Sequence, residues 1–132
     1  MRHLASIQRI WDVQPIDGAD RLELARVLGW ACVVNKGQFK KGDLGVYFEI
    51  DSFLPVRPEF EFLRASSYKK TDIMGEGFLI KTRKIKGVLS QGLLLPLSVF
   101  RNYGKLLYHD DDSIIGVDID DLYLQNYKSN KQ

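Results

Sequence analysis

The sequence predicts an all-β fold, a small barrel with short helical segments. Apolar runs of strand length, rich in β-branched and aromatic residues, recur along the chain. Glycine, proline and aspartate turns punctuate them. Little of the remainder has the length or pattern of a helix. With 132 residues the chain is one domain by size, and long enough to close one hydrophobic core.

The elements follow in order. Leu4–Val13 reads as a strand with Ala5 and Ile7 on one side. Pro15–Asp20, PIDGAD, reads as a turn, because proline fixes φ and Asp17-Gly18 supplies turn geometry. Leu22–Leu28 and Trp30–Asn35 are two strands separated by Gly29, the first alternating imperfectly, as a bent barrel strand does. Lys40–Asp43, KKGD, breaks the chain before the strand Leu44–Ile50. Asp51–Pro58 leaves that strand through two prolines, and Glu59–Ala65 is expected to form a short helix with Phe60 and Leu63 inward and Phe62 on either side. Ser66–Gly77 is polar, contains two glycines and reads as a mobile loop. Phe78–Ile85 and Leu89–Leu95 are expected to form a hairpin around Lys86–Val88, and Ser98–Tyr103 one helical turn. About five substantial strands suit a closed or partly closed barrel, which also removes exposed edges. A five-stranded OB-like barrel is the preferred form; an SH3-like barrel has similar periodicity, and patterning leaves it open. Residues 1–124 are expected to form this domain and residues 125–132 a polar tail or interdomain linker, with the acidic stretch from His109 strapped across the barrel.

A net charge of +2 is too small to argue for a polyanion or a membrane; only local clustering can. The single cysteine, Cys32, excludes an intrachain disulfide, and its neighbours Ala31, Val33 and Val34 suit a buried thiol. The N-terminus carries too much charge for a signal peptide, and no window approaches the roughly 18 apolar residues of a membrane span. A soluble intracellular protein without membrane contact is expected.

The densest chemistry lies in Phe78–Leu95, FLIKTRKIKGVLSQGLLL, which carries Lys81, Arg83, Lys84 and Lys86. Arginine offers phosphate a planar fork of donors and lysine a mobile point charge. Strict alternation sends Lys81 and Arg83 to one face and Lys84 and Lys86 to the other; a twisted strand would bring some together. The same charges also suit a solvated strand face. A second group, Lys36, Lys40 and Lys41, extends the patch if the loop of residues 35–42 folds toward the hairpin. Phe39, between Gln38 and Lys40, is the leading exposed residue for stacking on a base, and Tyr68 the next. Trp30, Tyr47, Phe48 and Phe78 suit the core.

No catalytic residue is predicted. Glu49 and Asp51 share strand parity but suit turn hydrogen bonds better than acid–base work. Asp110–Asp112 lacks the spaced ligands of a calcium loop, and His3, His109 and Cys32 are too few for zinc. There is no GxSxG elbow and no GxxxxGK phosphate loop.

Three blocks carry a resemblance: LASIQRIWDVQPIDGADRLELARVLGW at Leu4–Trp30, KGQFKKGDLGVYFEIDSFLP at Lys36–Pro55, and KTRKIKGVLSQGLLLP at Lys81–Pro96. Together they resemble the N-terminal OB-fold module of a family of ATP-dependent RNA ligases found in Deinococcus and some protists. The first block also looks like the PxxxADxLxL region of tRNA-binding OB modules. The resemblance implies a parent enzyme whose nucleotidyltransferase domain forms lysyl-AMP from ATP, assisted by manganese or magnesium, and seals RNA ends. This chain stops at Gln132 without the nucleotidyltransferase motifs. Alone it is therefore expected to be non-catalytic, with no cofactor or metal of its own.

The resemblance makes Lys81, Arg83, Lys84 and Lys86 the leading RNA contacts and brings Ser90-Gln91-Gly92 near the backbone path, where the motif would equally serve architecture. The expected role is an RNA-binding accessory domain positioning nicked duplex or RNA ends for a nucleotidyltransferase domain, in cis or in trans. The alternative is a protein-interaction module that docks the catalytic domain through Phe60, Phe62 or Leu63 and has little intrinsic RNA affinity.

Overall fold

The computed structural model describes residues 5–73, 75–100 and 125–126. Its longest strand, β1 (Ala5–Ile16), serves two partners. The half Ala5–Arg9 pairs antiparallel with β4 (Leu44–Phe48), and the half from Ile10 to Ile16 pairs with β2 (Ala19–Val27). Register shifts at Ile10/Asp12 and Pro15/Ile16 bend β1, because an extra residue on one side of a ladder kinks and twists it. Pro15 lies inside this strand instead of opening a turn. β4 ends its pairing at Arg9, so proline's missing N–H falls where β1 has β2 as its only partner among the described residues.

β3 (Trp30–Asn35) continues from β2, and β10 (Leu93–Pro96) adds to β4, giving a five-stranded sheet in the order β10-β4-β1-β2-β3. The sheet curls until β3 faces β10 and the strand before it, β9 (Val88–Gln91). The Val33 N–H donates to Ser90 Oγ at 2.9 Å and the Cys32 thiol to the Gln91 carbonyl at 3.5 Å, so side chains cross this seam. The result is the OB-like near-barrel that the strand pattern predicts.

A smaller sheet in the order β11-β5-β7-β6 packs beside it, built from β5 (Ser52–Leu54), β6 (Tyr68–Thr71), β7 (Gly75–Leu79) and β11 (Gln125–Asn126). Ser66–Gly77 is thus not a mobile loop: β6 pairs with β7 from Tyr68↔Phe78 to Thr71↔Gly75. Its residues YKKT bury neither face, so no alternating pattern announces the strand. The two strands expected at Phe78–Ile85 and Leu89–Leu95 each divide where the chain changes sheets. The first gives β7 and β8 (Thr82–Ile85), the second β9 and β10. The helical segment is a 3-10 turn, Pro58–Leu63, followed by α1 (Arg64–Ser67). A second 3-10 turn spans Leu97–Phe100; the rest of the turn expected at Ser98–Tyr103 lies outside the described residues, as does the acidic strap. Gln125–Asn126 pairs with Phe53 and Ser52, and the remainder of the expected tail is likewise outside the described residues. No described helix is long and apolar enough to cross a membrane.

The apolar residues form two cores, and β4 divides them. Val46 and Phe48 face Ile7, Leu54, Phe60 and Phe78 between the sheets, while Tyr47 faces Ile10, Val27, Val34 and Leu94 inside the barrel. Alternation survives, but both faces are buried, so β4 reads as one apolar run. Phe48 and Phe60 meet edge to face at 5.8 Å, a favourable aromatic geometry.

Gly92 makes the step from β9 to β10 possible. Its φ is +105°, and a Cβ there would lie 2.5 Å from the Tyr47 hydroxyl. That hydroxyl donates to the Gln91 carbonyl at 2.6 Å. Gly92→Ala should therefore cost about 3 kcal/mol or more from backbone strain and overpacking. Tyr47→Phe should cost only about 1 kcal/mol, the loss of one hydrogen bond at a carbonyl that keeps the weak Cys32 thiol donor. Urea unfolding midpoints check both. Burial also pushes the Cys32 thiol up to about 12. At pH near 8 a disulfide reagent should leave the native thiol untouched and titrate it once urea is added, since the thiolate is the nucleophile.

Candidate nucleic-acid interface

β8 and β9 are joined by Lys86-Gly87, with φ of +51° and +82°. Positive φ at both positions is the tight-turn geometry whose twist matches a hairpin. The register sets Arg83 opposite Ser90 and Lys84 opposite Leu89. Arg83 therefore shares the face of Ser90, which is bonded to β3, and Lys84 points the other way. Lys81, Arg83 and Ile85 line a cleft of about 290 Å³ together with Phe62, Ser66 and Ser67. The structure thus brings Lys81 and Arg83 together, puts Lys84 on the other side of the pleat, and leaves Lys86 at the tip. All four are exposed.

A second cleft of about 270 Å³ adjoins the first, sharing Val33, Phe62, Ile85 and Leu93 and ending at Asn35 and Gln38. The trough so formed follows the seam between β3 and β10. Lys36 directly follows Asn35, so the near end of the basic loop meets the hairpin's trough. Lys40 and Lys41 run back to β1 instead, where the Gly42 N–H donates to the Ile10 carbonyl at 2.7 Å and Arg9 to the Gly42 carbonyl at 2.6 Å.

Phe39 is not an exposed platform. It is 4% exposed and packs with Val34, Tyr47 and Leu94, anchoring the loop in the barrel core. One large apolar residue in the polar run NKGQFKKGD is the signal of such an anchor. Phe62 shows the reverse. Phe60 and Leu63 are buried as expected, but Phe62 is 60% exposed. A 3-10 turn repeats every three residues, so positions 60 and 63 share a side that position 62 cannot. The docking alternative counts Phe62 among the exposed residues, and of the three it names only Phe62 is exposed.

The other aromatics divide cleanly. Tyr47, Phe48 and Phe78 are fully buried and Trp30 partly so. Tyr68 is partly exposed; its hydroxyl donates to Glu76, which raises its pKa, and the Arg64 guanidinium lies 4.8 Å above its ring. Arg64 also grips Glu61 at 2.8 and 3.0 Å, lowering that carboxyl's pKa chiefly through the hydrogen bond. Trp11 is turned outward at the β1 bulge, its indole N–H donating to the Leu28 carbonyl at 2.8 Å.

The remaining candidates have structural partners. Ser90 receives the Val33 N–H, and Gly92 makes room for Tyr47. Glu49 and Asp51 sit in the turn between β4 and β5, where the Ser52 hydroxyl donates to the Glu49 carbonyl at 2.6 Å. Among the described residues no three histidine, cysteine or carboxylate side chains are grouped to hold a metal.

With this geometry in hand, the comparisons are specific. The PHA02142 OB-fold domain family matches residues 4–97. Solved structures of an RNA ligase from Naegleria gruberi are similar over nearly the whole chain. A mutant with AMP and Mn is 34% identical, covers 96% of this chain and gives a TM-score of 0.82. An apo mutant gives 0.83 and the ligase with PPi 0.80, each at 34% identity and 96% coverage. The match takes in 35% of the first and third of those ligase chains and 36% of the second, so this chain corresponds to about a third of their length. It is homologous to the N-terminal OB-fold part of the ATP-dependent RNA ligase family. Curated proteins gave no match.

Phe39→Ala should destabilise the barrel by about 3–5 kcal/mol, the cost of emptying a core aromatic. Phe62→Ala should stay within about 0.5 kcal/mol, as exposed substitutions do. Thermal or urea unfolding of the two variants checks the assignment.

Proposed function

The chain belongs to the PHA02142 OB-fold domain family, and we propose that it serves as the RNA-binding accessory domain of an RNA repair ligase. It holds nicked duplex or RNA ends for sealing by a nucleotidyltransferase domain, in cis or in trans. The observation that carries this reading is the homology to RNA ligases over almost the whole chain, joined to an exposed basic hairpin. Lys81, Arg83, Lys84 and Lys86, with Lys36, Lys40 and Lys41 on the neighbouring loop, supply cations for the RNA backbone. Arg83 can fork onto one phosphate, and the lysines act as point charges. Phosphate contacts fix register and orientation without reading sequence, which suits a domain whose task is to position ends. Holding two ends in reacting geometry removes much of the entropic barrier to joining them.

In this reading ATP and manganese or magnesium act in the nucleotidyltransferase domain, and the setting is intracellular.

The exposed ring of Phe62 favours a second reading, in which this face docks the nucleotidyltransferase domain. Its surface is narrower than the sequence suggests, because Phe60 and Leu63 are buried.

Fluorescence anisotropy with labelled nicked RNA over a range of salt concentrations tests the proposal. Each phosphate neutralised on a duplex steepens the log–log salt dependence by about 0.9. Lys84→Glu with Lys86→Glu should weaken binding and flatten that slope. Unchanged affinity and slope in a folded double variant would remove this part of the patch. A wild-type chain that ignores RNA yet binds the nucleotidyltransferase domain would replace the proposal with the docking reading.

A further inference from the structure

The trough along the barrel seam has an ordered chemistry that the charge pattern alone does not show. At one end lie Lys81 and Arg83 with the hydroxyl-bearing Ser66 and Ser67. In the middle stands the ring of Phe62, with Ile85 across from it. At the other end lie the amides of Asn35 and Gln38. Gln38 is oriented: its Oε1 accepts the Asn35 N–H at 3.2 Å, which leaves its Nε2 group as the available donor. Cations and hydroxyls, then a flat apolar ring, then an amide donor is the sequence of groups that a nucleotide meets with its phosphate, base face and base edge.

A docking seat for protein has a different character. The centres of protein interfaces are depleted in lysine and lined by apolar side chains. Here two exposed cations form one wall of the same cleft as the exposed aromatic. The cationic cleft offers about 290 Å³ and the adjoining one about 270 Å³, room for a phosphate at one end and a base at the other. A base within a duplex has its faces covered by stacking and its pairing edge occupied; only an unpaired one can lay a face on Phe62 and turn an edge to Gln38.

We propose that this trough seats one unpaired nucleotide of the RNA, its phosphate between Lys81 and Arg83 and its base on Phe62. The inference rests on the RNA-binding reading and gives it a site and a preferred substrate form: an unpaired or frayed strand.

The test compares a labelled single strand of about ten nucleotides, within the span of one OB fold, with a blunt duplex of the same sequence. Phe62→Ala should weaken single-strand binding about tenfold, because a stacked base is lost, and leave the salt slope unchanged. It should leave duplex binding as it was, and Phe62→Tyr should restore the single-strand affinity. Lys81→Ala with Arg83→Ala should weaken single-strand binding and lower its slope by about 0.7, the share of one phosphate. Circular dichroism confirms that each variant is folded.

A wild-type chain that binds neither RNA overturns the proposed function, and this site with it. A wild-type chain that binds RNA while Phe62→Ala loses nothing, or loses single strand and duplex alike, overturns the nucleotide seat alone. Loss of nucleotidyltransferase-domain binding in Phe62→Ala with RNA affinity intact assigns the ring to protein docking and also overturns it.

Discussion

The Tyr47 hydroxyl occupies the space where residue 92 would otherwise carry a side chain, and much of the molecule depends on that close approach. Because residue 92 is glycine, the chain can leave β9 sharply and enter β10 while the Gln91 carbonyl receives both the Tyr47 hydroxyl and the Cys32 thiol. Ser90 then reaches the Val33 amide, and the curled sheet is held shut across its seam. The β8–β9 hairpin inherits its orientation from the same contacts. Arg83 lies opposite Ser90 in the ladder, so the face that carries it is the face that meets β3. A packing constraint in the barrel interior thus decides which cations border the trough.

The architecture was legible where burial is one-sided or complete. The β-branched and aromatic run of β4, the Trp30–Asn35 strand and the glycine turns announce a barrel without help from any relative. What the pattern does not show is where strand-length runs divide. Phe78–Ile85 and Leu89–Leu95 each have the length of one strand, yet the first changes sheets beyond Leu79 and the second at Gly92. Polar residues after an apolar start suit one exposed strand face as well as a new strand, and a glycine suits a bulge as well as a break. β6 is hidden for another reason: neither of its faces is buried.

The candidate site was legible in its ingredients and not in its arrangement. The four hairpin cations stand out in the sequence, and parity alone separates Lys81 and Arg83 from Lys84. The aromatic partner could not be chosen the same way. Phe39 looked available because its neighbours are charged, yet the loop needs an anchor and the barrel had room for one. The pattern leaves Phe62 on either side, and only the tighter 3-10 repeat separates it from its two buried apolar neighbours. Local composition reports what a segment contains; the type of turn decides what faces water.

Among the described residues, β6 stands at one margin of the smaller sheet. Such a margin is a template on which another chain can lay itself down. Lys69 and Lys70 sit in the middle of this four-residue strand. Any newcomer aligned there would have to crowd against two ammonium groups, so the same pair that hides the strand from hydrophobic pattern reading also protects the molecule from stacking into aggregates.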